Sequence, residues 1–566
     1  MSKITSNQEE KNLPGTTQAG VYPASGAGNG YAADGFNTNQ PEYGDKSHDG
    51  IQHENTLHRG LKPRHVSLIA IGGVIGTGLF IGSGTALANG GPLGLWLGFS
   101  FVGILVFFMM LGLGEMAAYL PITGGQLAFS GRFFDPALGF AMTWSTTIHW
   151  ALTCASEMSA VAVLVNYWIE PTRINNAVWI AICYVVIVAL NLTTSGVYGE
   201  TEFIFSSIKV LTIIGLIILG IAIDCGAGPT GHYLGFHYWK DPGALAQYED
   251  IPGATGRFLG WWAVMTQAAF SYGGVEFFGI TAAESANPRF AIPRAMKQIY
   301  FRIGIFYILG TFILGLIVPF DNDRLGTASN AAASPWVIAI QLSGIKALPH
   351  IINACLITSA WSAGNADLYI ASRSLYNMAH KGLVPKIFLK THRWGCPWVA
   401  VLTMATIPLL AFMTVSTGAA EVFGWFVNLV AVMGLLEWSG ITLAYIGFRR
   451  AMKAQGFDRS TLPYRHPFAL FGAWFSLFSF AVVIIFFSAW TVFRDTANFD
   501  RATFITNYIP VVFFLALYFG YKIYRRTKII HPMDVDLITN VAEIEATIVE
   551  RPPAHGIKGR LQAALF

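Results

Sequence analysis

Runs of apolar residues alternate with short polar segments along most of this chain, and the runs are of membrane length. They cover 66–88, 93–118, 136–168, 177–192, 203–223, 259–283, 299–319, 348–379, 399–417, 422–448, 471–493 and 508–524. About 20 apolar residues rising 1.5 Å each cross a hydrocarbon core of about 30 Å. The pattern predicts an all-α transmembrane protein of about 12 helices. Residues 1–64 are polar and rich in Gly, Asn, Gln and Ser, without the apolar stretch of a cleaved signal peptide, and are expected to form a disordered cytosolic tail. The transmembrane domain is then 65–526, and 527–566 is a cytosolic C-terminal tail.

Orientation follows from the basic residues of the short loops, because positive segments resist translocation. With the N-terminus in the cytosol, the same side receives Arg132, then Arg289, Arg294 and Lys297, then Lys381, Lys386, Lys390 and Arg393, then Arg449, Arg450, Lys453 and Arg459, and last Lys522, Arg525, Arg526 and Lys528. The opposite loops carry isolated charges only. Both termini are placed in the cytosol.

Two runs are broken by glycine. The first holds Gly72-Gly73-Val74-Ile75-Gly76-Thr77-Gly78, and the sixth holds Phe270-Ser271-Tyr272-Gly273-Gly274-Val275-Glu276. Glycine costs about 1 kcal/mol relative to alanine inside a helix, so both stretches are weak as helices. Paired breaks at matching places of two halves point to a transporter site at the midplane. The amide groups of Gly76, Thr77 and Gly78 at the start of a half-helix could hold a carboxylate. Carbonyls freed near Ile71 and Ser271 could accept an ammonium group. The plainer reading is that Gly72, Gly76, Gly78 and Gly82 pack helices closely.

Ionisable residues inside spans cost about 2.5 to 3.5 kcal/mol on insertion scales and are functional candidates for that reason. They are Glu115, Glu157, Lys209, Glu276, Asp367 and Glu437. Lys209 has no acidic neighbour within its own apolar run, 203–223. A lone ammonium disfavours its charged form in lipid, which suits a reversible proton carrier. The alternative is snorkelling, since Lys209 lies about 10 Å along that run from its cytosolic end. Glu276 either shapes a pocket or is a buried carboxylate bonded to a neighbouring helix. Asp367, Asn365, Ser359 and Ser362 make the eighth run polar, as a cavity-facing helix or an interhelical hydrogen-bonding one would be. Phe270, Tyr272 and Trp361 either wall a cavity or pack.

Composition agrees with a bilayer as the main solvent: of 566 residues 53% are hydrophobic and 12% charged, about half the charge of a soluble domain. The net charge of +4 is dispersed, so no nucleic-acid partner is expected. The five cysteines include no CxxC and no His/Cys cluster, so neither a disulfide framework nor a metal site is expected. No GxxxxGK[ST] occurs, which argues against an ATP-driven pump. No cofactor and no catalytic residues are assigned; the chain is not expected to be an enzyme.

The blocks Leu57-His58-Arg59-Gly60-Leu61-Lys62 with Ile71 to Gly82, Phe270 to Gly274 running to Glu284, Asn287-Pro288-Arg289 with Pro293-Arg294, and Ser362-Ala363-Gly364-Asn365 leading to Ser372-Arg373 together carry a family likeness. From about Leu57 to Arg526 the chain resembles the fungal amino-acid permeases of the amino acid–polyamine–organocation superfamily. The resemblance implies a LeuT-like 5+5 inverted repeat plus two C-terminal helices. It implies inward symport of L-amino acids with protons across the plasma membrane. On it, Gly76, Thr77 and Gly78 match a carboxylate-binding turn, Ser271, Tyr272 and Gly273 a substrate-facing break, and Lys209 a lysine that stands in for a coupling sodium ion. Glu157 and Glu276 fall on recurrent acidic positions, and Cys154-Ala155-Ser156, Trp361 and Asp367 depart from the pattern. The partners implied are an L-amino acid, a proton and the lipid bilayer, with cytosolic regulators at the tails. Two other readings stay open: a non-transporting amino-acid sensor, and a cation or polyamine carrier of the same fold.

Overall fold

The computed structural model describes residues 75–122, 124–277, 288–325, 334–392, 394–486, 501–541 and 544, all of them in one unit, Asn55–Phe566. The start of the first run with Ile71, and the sixth run beyond Phe277, lie outside the described residues. In chain order the helices are α1 (Ser83–Tyr119), α2 (Gly125–Phe133), α3 (Pro136–Val165), α4 (Asn176–Asn191), α5 (Ser195–Asp224), α6 (Gly253–Tyr272), α7 (Pro288–Arg302), α8 (Gly310–Ile317), α9 (Pro335–Leu342), α10 (Leu348–His380), α11 (Trp398–Met404), α12 (Ala419–Ala454), α13 (Ala469–Phe486) and α14 (Arg501–Arg525). No strand occurs among the described residues. Among the described residues, eight helical stretches are long and apolar enough to cross a membrane. The chain is thus an all-helical, multi-pass membrane protein.

Local sequence explains the helix starts. Asp135 caps α3 by accepting the Ala137 N–H at 2.9 Å, with Pro136 at the first helical position. Asn175 caps α4 in the same way, at 2.9 Å from the Ala177 N–H. The first two apolar runs form one helical stretch, Gly78–Tyr119, bent at Gly91 with φ +70°. There the 244–246 loop lies on the bend: Leu93 N–H donates to Ala244 O at 2.9 Å, and Ala246 N–H to Gly90 O at 3.3 Å. The seventh run passes through a π-helical stretch, Ile303–Leu309, between α7 and α8. The ninth narrows to a 3-10 stretch, Ile407–Met413, around Pro408.

Packing is helix on helix, with α1 along α6, and α3 between α10 and α12. One side of α5 is bare and apolar, with Ile204, Leu211, Ile214, Ile218 and Ile221 exposed, while Glu202, Ser206 and Lys209 are buried on the other. A water-soluble helix is built the opposite way round; here lipid is the outer solvent. At the α2 end of the bundle, residues after α14 strap across the helices. Arg132 donates to Asp536 O and Thr539 O, both at 2.8 Å, and Gln455 Nε2 to Val535 O at 2.7 Å. Val535 and Leu537 are buried beneath the strap.

A Cβ added at Gly91 would lie 2.6 Å from Ala246 N and 2.9 Å from Ala244 O, at a φ that L-residues avoid. Gly91→Ala is expected to destabilise the bundle by more than about 1 kcal/mol and to lower the thermal midpoint of the detergent-solubilised protein. An unchanged midpoint would show that the 244–246 loop simply moves aside.

Candidate functional site

At its described start the first span is not yet helical. Ile75 and Gly76 are non-helical, Gly78–Gly82 form a π turn, and regular helix begins at Ser83. A backbone N–H left without a helical partner inside lipid needs another acceptor. Thr77 finds it in Glu157 of α3: Oε1 accepts the Thr77 N–H at 3.2 Å and the Thr77 hydroxyl at 3.1 Å. Glycine at position 76 permits the approach, because a Cβ there would stand 2.5 Å from the same carboxylate oxygen. From α10, the Ser359 hydroxyl donates to Ile75 O at 3.4 Å.

The two breaks touch. A Cβ at Gly78 would be 2.7 Å from both Cα and Oγ of Ser271, and one at Gly82 would be 2.6 Å from Gln267 Oε1. On the sixth-span side α6 ends at Tyr272, and the chain turns at Gly273 and Gly274, the latter at φ +89°. Glu276 Oε1 accepts the Gly274 N–H at 3.2 Å and Oε2 accepts Trp438 Nε1–H at 2.9 Å. Phe270 meets Phe423 edge-on, with centroids 6.0 Å apart. Tyr272 is not part of the contact with Gly78: its hydroxyl donates to Phe99 O at 3.0 Å and its ring stacks on Tyr307. Gly76, Thr77, Gly78, Ser271, Glu157 and Ser359 thus come together; Tyr272 supports the break from the α1 side.

Lys209 needs a correction: it is not without an acidic neighbour. α5 begins at Ser195, so Glu202 lies inside the helix, and seven residues, two turns, put it on the same face as Lys209. Glu202 Oε1 is 3.6 Å from Lys209 Nζ. The Glu202 carboxylate also accepts the hydroxyls of Ser206 at 3.0 Å and Ser362 at 2.8 Å. Snorkelling is ruled out by the same helix start. Lys209 is 1% exposed and stands about 21 Å along the axis from Ser195. Glu157 and Asp367 both interact electrostatically with Lys209, so a single ammonium serves several buried carboxylates.

A second buried group surrounds the sixth-span break. His149 Nδ1 lies 3.2 Å from Glu437 Oε2, both act on Glu276, and buried Arg302 interacts with Glu276, Tyr272 and Tyr307. Glu202, His149 and Arg302 escaped the sequence reading. Helical spacing from Lys209 could have found Glu202, whereas His149 and Arg302 are matched only across helices distant in sequence. The polar residues of α10 mostly join helices: Asn191 Nδ2 donates to Asn365 Oδ1 at 3.0 Å, and Trp361 packs edge-on to Phe205. Among the described residues no His, Cys, Asp or Glu group is arranged to hold a metal ion. A cleft of about 860 Å³ lined by Tyr167, Asp321, Arg324 and His350 shares no residue with the break contact.

Membrane-length helices, the contact of Gly78 with Ser271 at the described ends of the first and sixth spans, and charges turned inward fit a multi-span membrane transporter. The chain belongs to the amino acid permease family, whose model matches residues 65–531. It is 45% identical to the dicarboxylic amino acid permease of Saccharomyces cerevisiae, over 87% of this chain and 81% of that relative. It is 40% identical to the proline-specific permease of Emericella nidulans over 91% of this chain and 95% of the relative. A lysine-specific permease of Saccharomyces cerevisiae is likewise 40% identical, over 87% and 80%. These relatives are transporters, not enzymes.

Removing one partner of a buried ion pair costs about 3–5 kcal/mol, and removing both much less. Lys209→Met is therefore expected to lower thermal stability sharply in detergent, and Lys209→Met with Glu202→Gln to recover most of it. A double variant no better than the single one would show that the pair is not what Lys209 stabilises. Gly78→Ala overpacks the break contact at about 1–3 kcal/mol and is expected to depress amino-acid uptake at normal surface expression. Wild-type uptake would mean that the two breaks need not touch during transport.

Proposed function

We propose that the chain carries L-amino acids inward with protons across the plasma membrane by alternating access. In this reading the bundle is a LeuT-like pair of inverted five-span repeats followed by two further helices. Both termini, including tails over 1–64 and 527–566, face the cytosol, where regulators would reach them. The observation that carries the reading is the Thr77 contact: a peptide N–H and a hydroxyl, freed by an interrupted helix, bind a carboxylate beside the second interrupted helix.

Such a turn recognises what all amino acids share. The relatives are named for dicarboxylic amino acids, proline and lysine; these side chains differ in charge, yet each substrate keeps an α-carboxylate and an α-amino group. Main-chain groups at Gly76, Thr77 and Gly78 would take the carboxylate once Glu157 releases Thr77, and carbonyls near Ile71 and Ser271 the ammonium. Phe270, Gly273 and Glu276 shape the sixth-span side, with Tyr272 behind them. Glu157 and Lys209 couple the proton, because Glu157 touches the first-span break and the buried charge cluster at once.

The driving force suffices. A proton crossing about 100 mV releases about 2.3 kcal/mol, and two pH units add about 2.7. That total concentrates a neutral solute by about three to four orders of magnitude. Radiolabelled L-amino-acid uptake, measured with and without a protonophore, tests the reading. Accumulation abolished by the protonophore is expected. Uptake that ignores it would refute proton coupling, and uptake restricted to amines without a carboxylate would refute the binding turn.

A further inference from the structure

We propose that Asp367 is the proton-binding carboxylate of this transporter, and that its charge acts on the first-span break through Glu157. The inference rests on proton symport and names the group that carries the proton.

Glu157, Glu202 and Asp367 face one cation, Lys209, and all four side chains are at most 5% exposed. With every group ionised, the cluster would hold excess negative charge inside the membrane, an arrangement that neutralises itself by taking up protons. Hydrogen bonds decide where. Glu157 Oε1 accepts two donors from Thr77. Glu202 accepts two serine hydroxyls and pairs with Lys209. Donors of this kind stabilise a carboxylate in its charged form. Asp367 Oδ2 and Glu157 Oε2 are both buried with no hydrogen-bond partner among the described residues, but Glu157 keeps the two Thr77 donors on its other oxygen, so the charge of Asp367 is the less supported.

The groups that act on Asp367 are Glu157 and Cys154 from α3 and Glu202, Lys209 and Tyr198 from α5. The other helices packed against α10, namely α4, α9 and α11, carry no Asp, Glu, Lys, Arg or His. Lys386, on the turn after α10, is exposed. Glu157 is therefore the link between Asp367 and the break. While Asp367 holds a proton, Glu157 stays charged and grips Thr77. Loss of that proton sets two carboxylates against each other, and the repulsion loosens Glu157 from the Thr77 amide. The proton enters from outside onto an Asp367 carboxylate oxygen and leaves from it to the cytosol, with no other bond made or broken.

The test uses the full chain in proteoliposomes with a radiolabelled L-amino-acid mixture. For Asp367→Asn, accumulation against a gradient is expected to collapse, its dependence on external pH to flatten, and the ratio of exchange to net uptake to rise about tenfold or more. Accumulation with the wild-type pH profile in D367N overturns the proposal. Wild-type uptake that ignores a protonophore removes the symport reading instead, so the two failures are distinguishable. A second measurement needs no variant: dicyclohexylcarbodiimide attacks protonated carboxyl groups in apolar surroundings. Peptide mapping of the treated wild-type protein is expected to find the adduct on Asp367. An adduct on Glu157 or Glu202 with Asp367 unmodified also overturns the proposal.

Discussion

A peptide group released from its helix in the middle of a bilayer has no water to turn to, and the chain must supply its partner. Thr77 follows the non-helical Ile75 and Gly76, and Glu157 receives both its N–H and its hydroxyl. The contact constrains much around it. Glycine at 76 leaves room for the carboxylate, α3 must run deep beside the break, and a cation must lie near enough to offset the charge that α3 brings in. Lys209 on α5 meets the last demand. The first-span turn, the acid and the lysine are thus one arrangement.

The sixth-span break solves the same problem with different parts. Gly274 N–H is held by Glu276, two residues further along the same chain, and Trp438 anchors the other carboxylate oxygen. One break is therefore tied to a neighbouring helix and the other to itself and α12. A carboxylate accepts more strongly than a neutral carbonyl, yet its grip depends on keeping its charge. Both breaks are consequently held by groups whose strength as acceptors changes on protonation, and each acid lies in electrostatic reach of other ionisable groups: Lys209, Glu202 and Asp367 for Glu157, Glu437, His149 and Arg302 for Glu276.

Spans and breaks could be read from the chain because they depend on local composition. Apolar runs of membrane length mark the helices, and the glycines at 76, 273 and 274 mark where the described backbone is not helical. What could not be read is who pairs with whom. Glu202 lay one residue outside the apolar run assigned to the fifth span, so the helical face it shares with Lys209 went unrecognised. The bend at Gly91 joins two spans that look separate, because Gly90-Gly91-Pro92 resembles a loop until the 244–246 segment is laid against it. Tyr272 illustrates the converse. Its position in the glycine-rich block faces the substrate only if the helix rotates that way, and the Phe99 carbonyl holds it on the other side.

The proposed division of labour is compatible with the different substrates for which the relatives are named. If main-chain atoms at the first-span turn bind the α-carboxylate, as proposed, substitution of side chains elsewhere leaves them in place. Selectivity then has to come from residues outside the break. Relatives of this chain, at 40–45% identity, are named for acidic, cyclic and basic amino acids. A binding turn made of backbone is compatible with all three, whereas a turn built from charged side chains would have fixed the substrate's charge. On that proposal the ionisable residues serve coupling rather than recognition. A carboxylate buried against Thr77 would repel an incoming acidic side chain unless a proton accompanied it, which is the balance of charge that the proposed symport would meet.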